Sequence, residues 1–172
     1  MVKELEPFGM KTSGVVDYKT QLNFEYEGLS PMPTEHFLLA ERENLFRVEG
    51  ITFDANRQAA FLMVHDLKPA PASYNIDVFI NQPDADEKTP LDGNPSYAGS
   101  FGIFGGGKHT EHAEHVDPKK SQRVLNISKA VARLTKAEEK TNLSVKLVIT
   151  DLEGKPIDVD KLPLKGFSIR FN

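Results

Sequence analysis

The chain has no cysteine and no tryptophan among its 172 residues. Without cysteine it can form no disulfide, thiolate zinc site or iron–sulfur cluster, and it has no thiol nucleophile. Long apolar runs are missing too, because the longest, at 59–64, is far shorter than a membrane span. The first twenty residues contain no apolar run of signal-peptide length. We therefore expect no membrane association, and a cytoplasmic location if Met1 is the natural start.

An excess of positive charge is also absent. Lysine and arginine number 21 against 25 acidic residues, which gives a formal net charge of −4. Nucleic-acid-binding domains normally carry a basic face, so nucleic acid is not an expected partner. The hydrophobic content of 39% is sufficient to bury a core, and the length fits one domain with an arm attached.

Hydrophobic residues recur mainly with period two, which is the pattern of half-buried strands. Leu143, Val145, Leu147 and Ile149 alternate in this way with other residues. The predicted strands are 45–53, 59–64, 74–80, 97–104, 124–127, 143–150 and 167–171. About seven short strands favour a mainly β fold, an antiparallel β-sandwich.

One short helix is predicted among the strands. Ser128 can cap it, and Ala130, Val131 and Leu134 have helical spacing.

The connecting segments have the composition of turns. Residues 54–57 and 153–154 are typical of hairpin turns, and 83–95 is a polar loop rich in proline, aspartate and glycine. Residues 1–44 have weak periodicity, so we interpret them as an extended N-terminal arm that ends in a linker at 28–43.

One cluster of metal-ligating residues stands out. His109, His112 and His115 follow one another at intervals of three, with Glu111 and Glu114 between them. Neutral imidazole suits copper and zinc, and copper(II) has the higher intrinsic affinity. One interpretation is a metal-binding loop, and the other is a solvated loop that binds metal only adventitiously. No nucleophilic or phosphate-binding motif accompanies the cluster.

Several segments resemble one family in their order and spacing. The sequence SYNIDVFIN at 73–81 is similar to the FDVFVN strand in the C-terminal domain of tyrosinases and polyphenol oxidases. YAGSF at 97–101 resembles a later strand of that domain, FRVEGI at 46–51 an earlier one, and FSIR at 167–170 its end. Residues from about 45 to 172 follow the order of the bacterial and plant members, and we identify them as a lid domain of bacterial type.

The arm carries a second part of the resemblance. Family members leave the copper domain through a Pro-Phe…Asp…Tyr-x-Tyr segment. Pro7, Phe8, Asp17, Phe24 and Tyr26 stand here in that order, with Phe24 in place of the first tyrosine, whose hydroxyl contact would be absent. The resemblance implies that Asp17, Phe24 and Tyr26 lie at the interface with the copper domain. Without that domain, we expect an exposed arm to favour self-association.

The residues that tyrosinase chemistry requires are missing. Its two copper ions are each held by three histidines, with His-x-x-x-His pairs on helices, whereas this chain has five histidines and no such pair. The resemblance implies that residues 1–44 are the exit segment and linker and that 45–172 are the lid. The dicopper centre would then belong to a partner domain, whose phenol oxidation the lid keeps latent. We therefore expect the chain not to be an enzyme on its own.

In this family a lid side chain enters the substrate pocket, and in several fungal members it lies on the loop after the strand that YAGSF resembles. The same loop here carries Phe104, our first candidate for the plug, and Ile103, the second. The flanking Gly102 and Gly105 are expected to let the backbone turn sharply. The alternative is that Phe104 is the last inward residue of a strand.

The histidine cluster admits two functions in this context. His109, His112 and His115 stand where some fungal relatives have a Cys-x-x-Cys that helps to load copper, so the resemblance implies copper loading by this loop. The competing hypothesis is a free-standing copper carrier that uses the same three histidines.

Overall fold

The computed structural model describes residues 33–105, 123–136 and 139–172. Within these ranges it contains nine strands, one α-helix and one 3₁₀ turn. In chain order they are β1 (Thr34–Phe37), β2 (Leu39–Arg42), β3 (Leu45–Ile51), β4 (Ala60–His65), β5 (Tyr74–Ile80), β6 (Tyr97–Ile103), β7 (Arg123–Asn126), α1 (Ser128–Leu134), β8 (Thr141–Asp151), the 3₁₀ turn (Val159–Lys161) and β9 (Gly166–Phe171). The predicted mainly β fold is confirmed.

The strands form two antiparallel sheets. The five-stranded sheet has the order β2-β3-β8-β5-β6, and the four-stranded sheet has the order β1-β9-β4-β7. Every second residue of β5, β8 and β9 enters the shared core, as the sequence alternation predicted. Fully buried examples are Ile76, Val78, Leu147, Ile169 and Phe171. The two sheets therefore bury one continuous apolar layer between them, which is a β-sandwich.

Strands β1 and β2 lie within residues 28–43, which were predicted to be a linker. The linker assignment is wrong for these eight strand residues, and the sandwich begins at Thr34. Both strands have four residues and lie at sheet edges, where most of their side chains are exposed. They therefore need no apolar alternation, which is why periodicity shows no strand there.

The predicted helix is confirmed, but its predicted cap is wrong. The helix begins at Ser128, and Ile127 occupies the N-cap position without a side-chain hydrogen bond. The Ser128 hydroxyl instead accepts a hydrogen bond from Ala60 N (2.9 Å) and contacts Ala60 O (3.3 Å). It thus fastens the helix to β4, which a local sequence pattern could not reveal.

Both predicted turns form, with different roles. Asp54 O accepts from Arg57 N and Gln58 N, and this turn carries the chain from β3 in one sheet to β4 in the other, so it is not a hairpin. At 151–155, Asp151 N donates to Lys155 O over 3.0 Å and the chain folds back along β8, so this turn is a hairpin.

Two crossings between the sheets, from β4 to β5 and from β8 to β9, lie together at one end of the sandwich, where β6 also ends, and we call it the crossover end. It is defined by His65, Ile103 and Asp151, the last residues of β4, β6 and β8. Hydrogen bonds from Lys165 N to His65 O and from Lys68 N to Pro163 O join the crossing segments there. No helix in the described ranges is long and apolar enough to cross a membrane.

Candidate functional site

Phe104 is the first residue beyond β6 at the crossover end. Its side chain is 81% exposed, whereas Ile103 immediately before it is 2% exposed and belongs to the core. Phe104 is therefore not an inward strand residue. Ile103, the second plug candidate from the sequence, cannot enter a partner's pocket without leaving the core of its own domain.

The residue after Phe104 is fixed by the backbone around it. Gly105 N donates to Ser73 Oγ over 3.1 Å, and Gly105 forms a parallel β-bridge with Ala70. A Cβ at Gly105 would overlap the carbonyl oxygens of Ala70 and Ala72, so only glycine fits here. Phe104 is thus held between a core residue and a fixed glycine, and its exposed ring has a rigid support.

The two glycines that flank this segment do not act as the sequence suggested. Neither Gly102 nor Gly105 has the left-handed backbone that only glycine adopts readily. Gly102 lies within β6, and a Cβ built there would be 3.3 Å from the Phe104 Cζ atom. The ring therefore lies over Gly102, and the glycines provide room for close approach rather than a sharp turn.

A serine, a histidine and a glutamate meet near the same end, on the outer face of the four-stranded sheet. Ser168 Oγ donates to Glu35 Oε1 over 2.6 Å and lies 2.7 Å from His65 Nε2, which is itself 3.3 Å from Glu35 Oε1. Since the only hydroxyl proton goes to the carboxylate, His65 Nε2 must be the donor toward Ser168.

That geometry is wrong for nucleophilic catalysis. A catalytic triad uses both histidine nitrogens, one toward the serine and the other toward the acid, whereas here Nε2 faces both groups. Ser168 is also fully buried, so no substrate can reach it. The cluster joins β1, β4 and β9, and its members are too far apart in sequence for a spacing pattern to reveal it.

Within the described ranges, two carboxyl groups have shifted pKa values. Burial raises the pKa of Asp77 on β5, and hydrogen bonds from Asn75 and Tyr97 oppose the shift. The backbone N–H of Lys88 lowers the pKa of Asp86 by bonding its carboxylate. Neither is assigned a catalytic role: Asp77 bonds neighbouring side chains on the sheet, and Asp86 closes its own turn with Thr89.

A groove of about 650 Å³ runs along the outer face of β8, between the loop at 83–87 and the 3₁₀ turn. Its floor includes Val148 and Ala85, and its rim carries charges of both signs. Arg42 and Asp84 face each other across it at 3.5 Å, with side chains 58% and 93% exposed. Such a solvated ion pair contributes little to the stability of the fold. Because the rim carries charges of both signs, the groove favours neither cations nor anions.

The described residues do not fit a copper centre. They contain no group of three or more side chains that could hold a metal ion. His36 packs edge-on against Phe171, with ring centroids 5.9 Å apart, whereas His65 lies in the cluster with Ser168. The predicted metal ligands His109, His112 and His115 lie outside the described residues.

The predicted interface residues Asp17, Phe24 and Tyr26 also lie outside the described residues. Of the residues proposed from the sequence, the structure therefore places only Phe104 and Ile103.

Comparison with known proteins gives structural neighbours and a family. No curated protein matches the chain. Solved structures that match include recombinantly expressed latent aurone synthase, a polyphenol oxidase, at 18% identity and a TM-score of 0.44, over 78% of this chain and 25% of that one. Latent aurone synthase from natural source matches at 16% identity and a TM-score of 0.38, over 77% of this chain and 27% of that one. The chain thus spans about a quarter of the length of these structures.

A family model described as "Domain of unknown function (DUF7868)" matches residues 33–165, which include eight of the nine described strands in full. It begins one residue before β1, where the described sandwich also begins, and extends to the residue before β9. Since the match covers well over half of the sequence, the chain belongs to the DUF7868 family.

Proposed function

We propose that this chain is the lid domain of a tyrosinase-like copper oxidase and that it shields a dicopper site held by another domain. The proposal joins the sequence resemblance at 45–172 to one structural observation, the rigidly supported and exposed Phe104. The described residues offer no catalytic constellation of their own that would favour an independent activity.

The chemistry of Phe104 suits a plug. Its side chain is a phenyl ring, which has the shape of a phenolic substrate but lacks the hydroxyl group that copper oxidises. A ring that enters an apolar pocket excludes a phenol by occupying the same volume. Because Ile103 and Gly105 already fix the backbone on both sides, little further ordering is needed when the ring binds.

The copper of such an oxidase would be held by its other domain, whose histidines this chain does not supply. Copper loading through His109, His112 and His115 remains part of the proposal on sequence grounds. The free-standing copper carrier also remains a prediction, because the three histidines on which it depends lie outside the described residues.

The experiment measures catechol oxidation by the two-domain oxidase before and after the lid is displaced. It compares the wild type with Phe104→Ala and with a control variant, Leu91→Ala. Leu91 is also exposed, but it lies in the loop joining β5 and β6 at their other ends. We expect Phe104→Ala to raise the activity before activation about tenfold or more, because burial of an aromatic ring contributes about 1.5–3 kcal/mol and 1.4 kcal/mol is a factor of ten. Leu91→Ala should behave like the wild type. Unchanged latency in folded Phe104→Ala protein would contradict the proposal.

A further inference from the structure

A second exposed apolar side chain stands at the crossover end. Leu152 is 82% exposed, at the tip of the turn that follows β8. The turn is tightly bonded: the Asp151 carboxylate accepts from Glu153 N (2.9 Å) and Lys155 N (2.8 Å), and Gly154 N donates to Asp151 O. Gly154 has a φ of +82°, which suits glycine. Leu152, like Phe104, is therefore an apolar side chain on a rigid support.

The sheet register brings these two side chains to the same level. Tyr74 on β5 pairs with Ile103 on one side and with Asp151 on the other. Phe104 and Leu152 each follow immediately after this row, on two strands that run in the same direction and flank β5. Two inter-strand spacings separate them, which is about 10 Å.

Residues 69–72 add apolar surface beside Phe104. Residues 69–72 read PAPA, and Pro69, Pro71 and Ala72 are exposed beside the Gly105 bridge. Proline fixes its own backbone angle, so this segment is stiff as well. The surface beside Phe104 is thus apolar and preorganised, whereas Leu152 stands beside the exposed Glu153.

The distance determines what must lie over Leu152 when Phe104 is bound. A stable interface buries about 800 Å² on each partner, equivalent to a disc about 16 Å in radius. A partner whose footprint is centred on Phe104 therefore also covers a residue about 10 Å away. An exposed leucine inside that footprint is buried on binding.

We propose that Leu152 is a second contact to the domain that receives Phe104, and that it packs on the apolar rim of that domain's phenol pocket. This inference rests on the proposed function, since it takes the copper domain as the partner. Leu152 acts as a positioning residue: it holds the lid in the orientation in which Phe104 enters the pocket.

The test measures the Kd between the full 172-residue chain and a separately produced copper domain. Leu152→Asp places a charge at the contact, and Leu91→Asp makes the same change in the loop at the other end of β5 and β6. Leu152→Ala removes the side chain without adding charge, and thermal unfolding verifies that each variant is folded. We expect Leu152→Asp to raise the Kd about tenfold or more and Leu91→Asp to leave it unchanged.

A cycle with Phe104→Ala separates this inference from the proposed function. Because the two side chains lie about 10 Å apart and would contact one partner at separate points, the double variant Phe104→Ala/Leu152→Ala should raise the Kd by about the product of the two single effects. Loss of latency in Phe104→Ala with wild-type binding in Leu152→Asp would overturn the inference and leave the lid function standing. No effect of either change would overturn both. If the chain forms dimers and Leu152→Asp makes it monomeric, Leu152 contacts a second copy of the chain, and the inference is overturned.

Discussion

Gly105 shows how a single residue can determine the position of a functional side chain. The family resemblance pointed to the loop that carries Phe104, the flanking glycines supported the choice, and the ring is exposed there. The physical reason differs from the expected one, because Gly105 has no left-handed backbone and instead packs directly on the Ala70 backbone. Close approach to a segment 35 positions away in the chain leaves no local pattern, so it could not be predicted.

Gly105→Ala should therefore destabilise the protein and displace Phe104. The added Cβ cannot be accommodated without moving the backbone of 70–72, which we expect to cost about 1–3 kcal/mol of unfolding free energy. Gly166→Ala is the matched control, since a Cβ there meets nothing within 4 Å. Urea unfolding of the two variants measures the difference. Equal midpoints would show that Gly105 is not constrained by its neighbours.

At the scale of secondary structure, most of the strands were predictable and two were not. Strands β4, β5, β8 and β9 are buried on one or both faces and therefore carry a clear apolar pattern. The edge strands β1 and β2 obtain their pairing from β9 and β3 and have little apolar content of their own. Edge pairing depends on the neighbouring strand rather than on the strand's own sequence, so periodicity did not reveal it.

Asn44 lies in the turn between β2 and β3, and its side chain holds residues 157–159 against that turn. Its side chain donates to Ile157 O (3.0 Å) and accepts from Val159 N (2.7 Å), and its φ is +53°. Asn44→Gly keeps the backbone conformation and removes both side-chain bonds. We expect it to cost about 2 kcal/mol of unfolding free energy, at about 1 kcal/mol for each bond, and Asn44→Ala to cost about 1 kcal/mol more because of its backbone.

The control for Asn44 is Asn81→Gly. Asn81 has a φ of +54° but is exposed and accepts a single hydrogen bond, from Ser144 N. Chemical unfolding should show that Asn81→Gly costs at most about 1 kcal/mol, half the cost of Asn44→Gly, because it removes one exposed bond instead of two part-buried ones. If Asn44→Gly unfolded at the same denaturant concentration as Asn81→Gly, the two side-chain bonds would not hold the segment at 157–159.

For the whole molecule, the sequence predicted the architecture better than the site. Alternation of apolar residues follows from burial on one face, so two packed sheets could be inferred from it. Leu152 was not singled out, because a lone leucine in a polar turn has no motif. It becomes informative only because Asp151, the residue before it, lies in the same row as Ile103. The Ser168 cluster was missed for the same reason, since its residues meet only when three strands are aligned.

We propose that this chain as a whole blocks the phenol site of a copper domain through Phe104. The most direct measurement is the steady-state kinetics of catechol oxidation by that copper domain as the full chain is added. Because the plug and the substrate would occupy one pocket, we expect the apparent KM to rise with chain concentration while kcat is unchanged. Phe104→Ala should weaken this rise. If the apparent KM does not change at a saturating concentration of the chain, or if Phe104→Ala inhibits as strongly as the wild type, Phe104 does not block the phenol site.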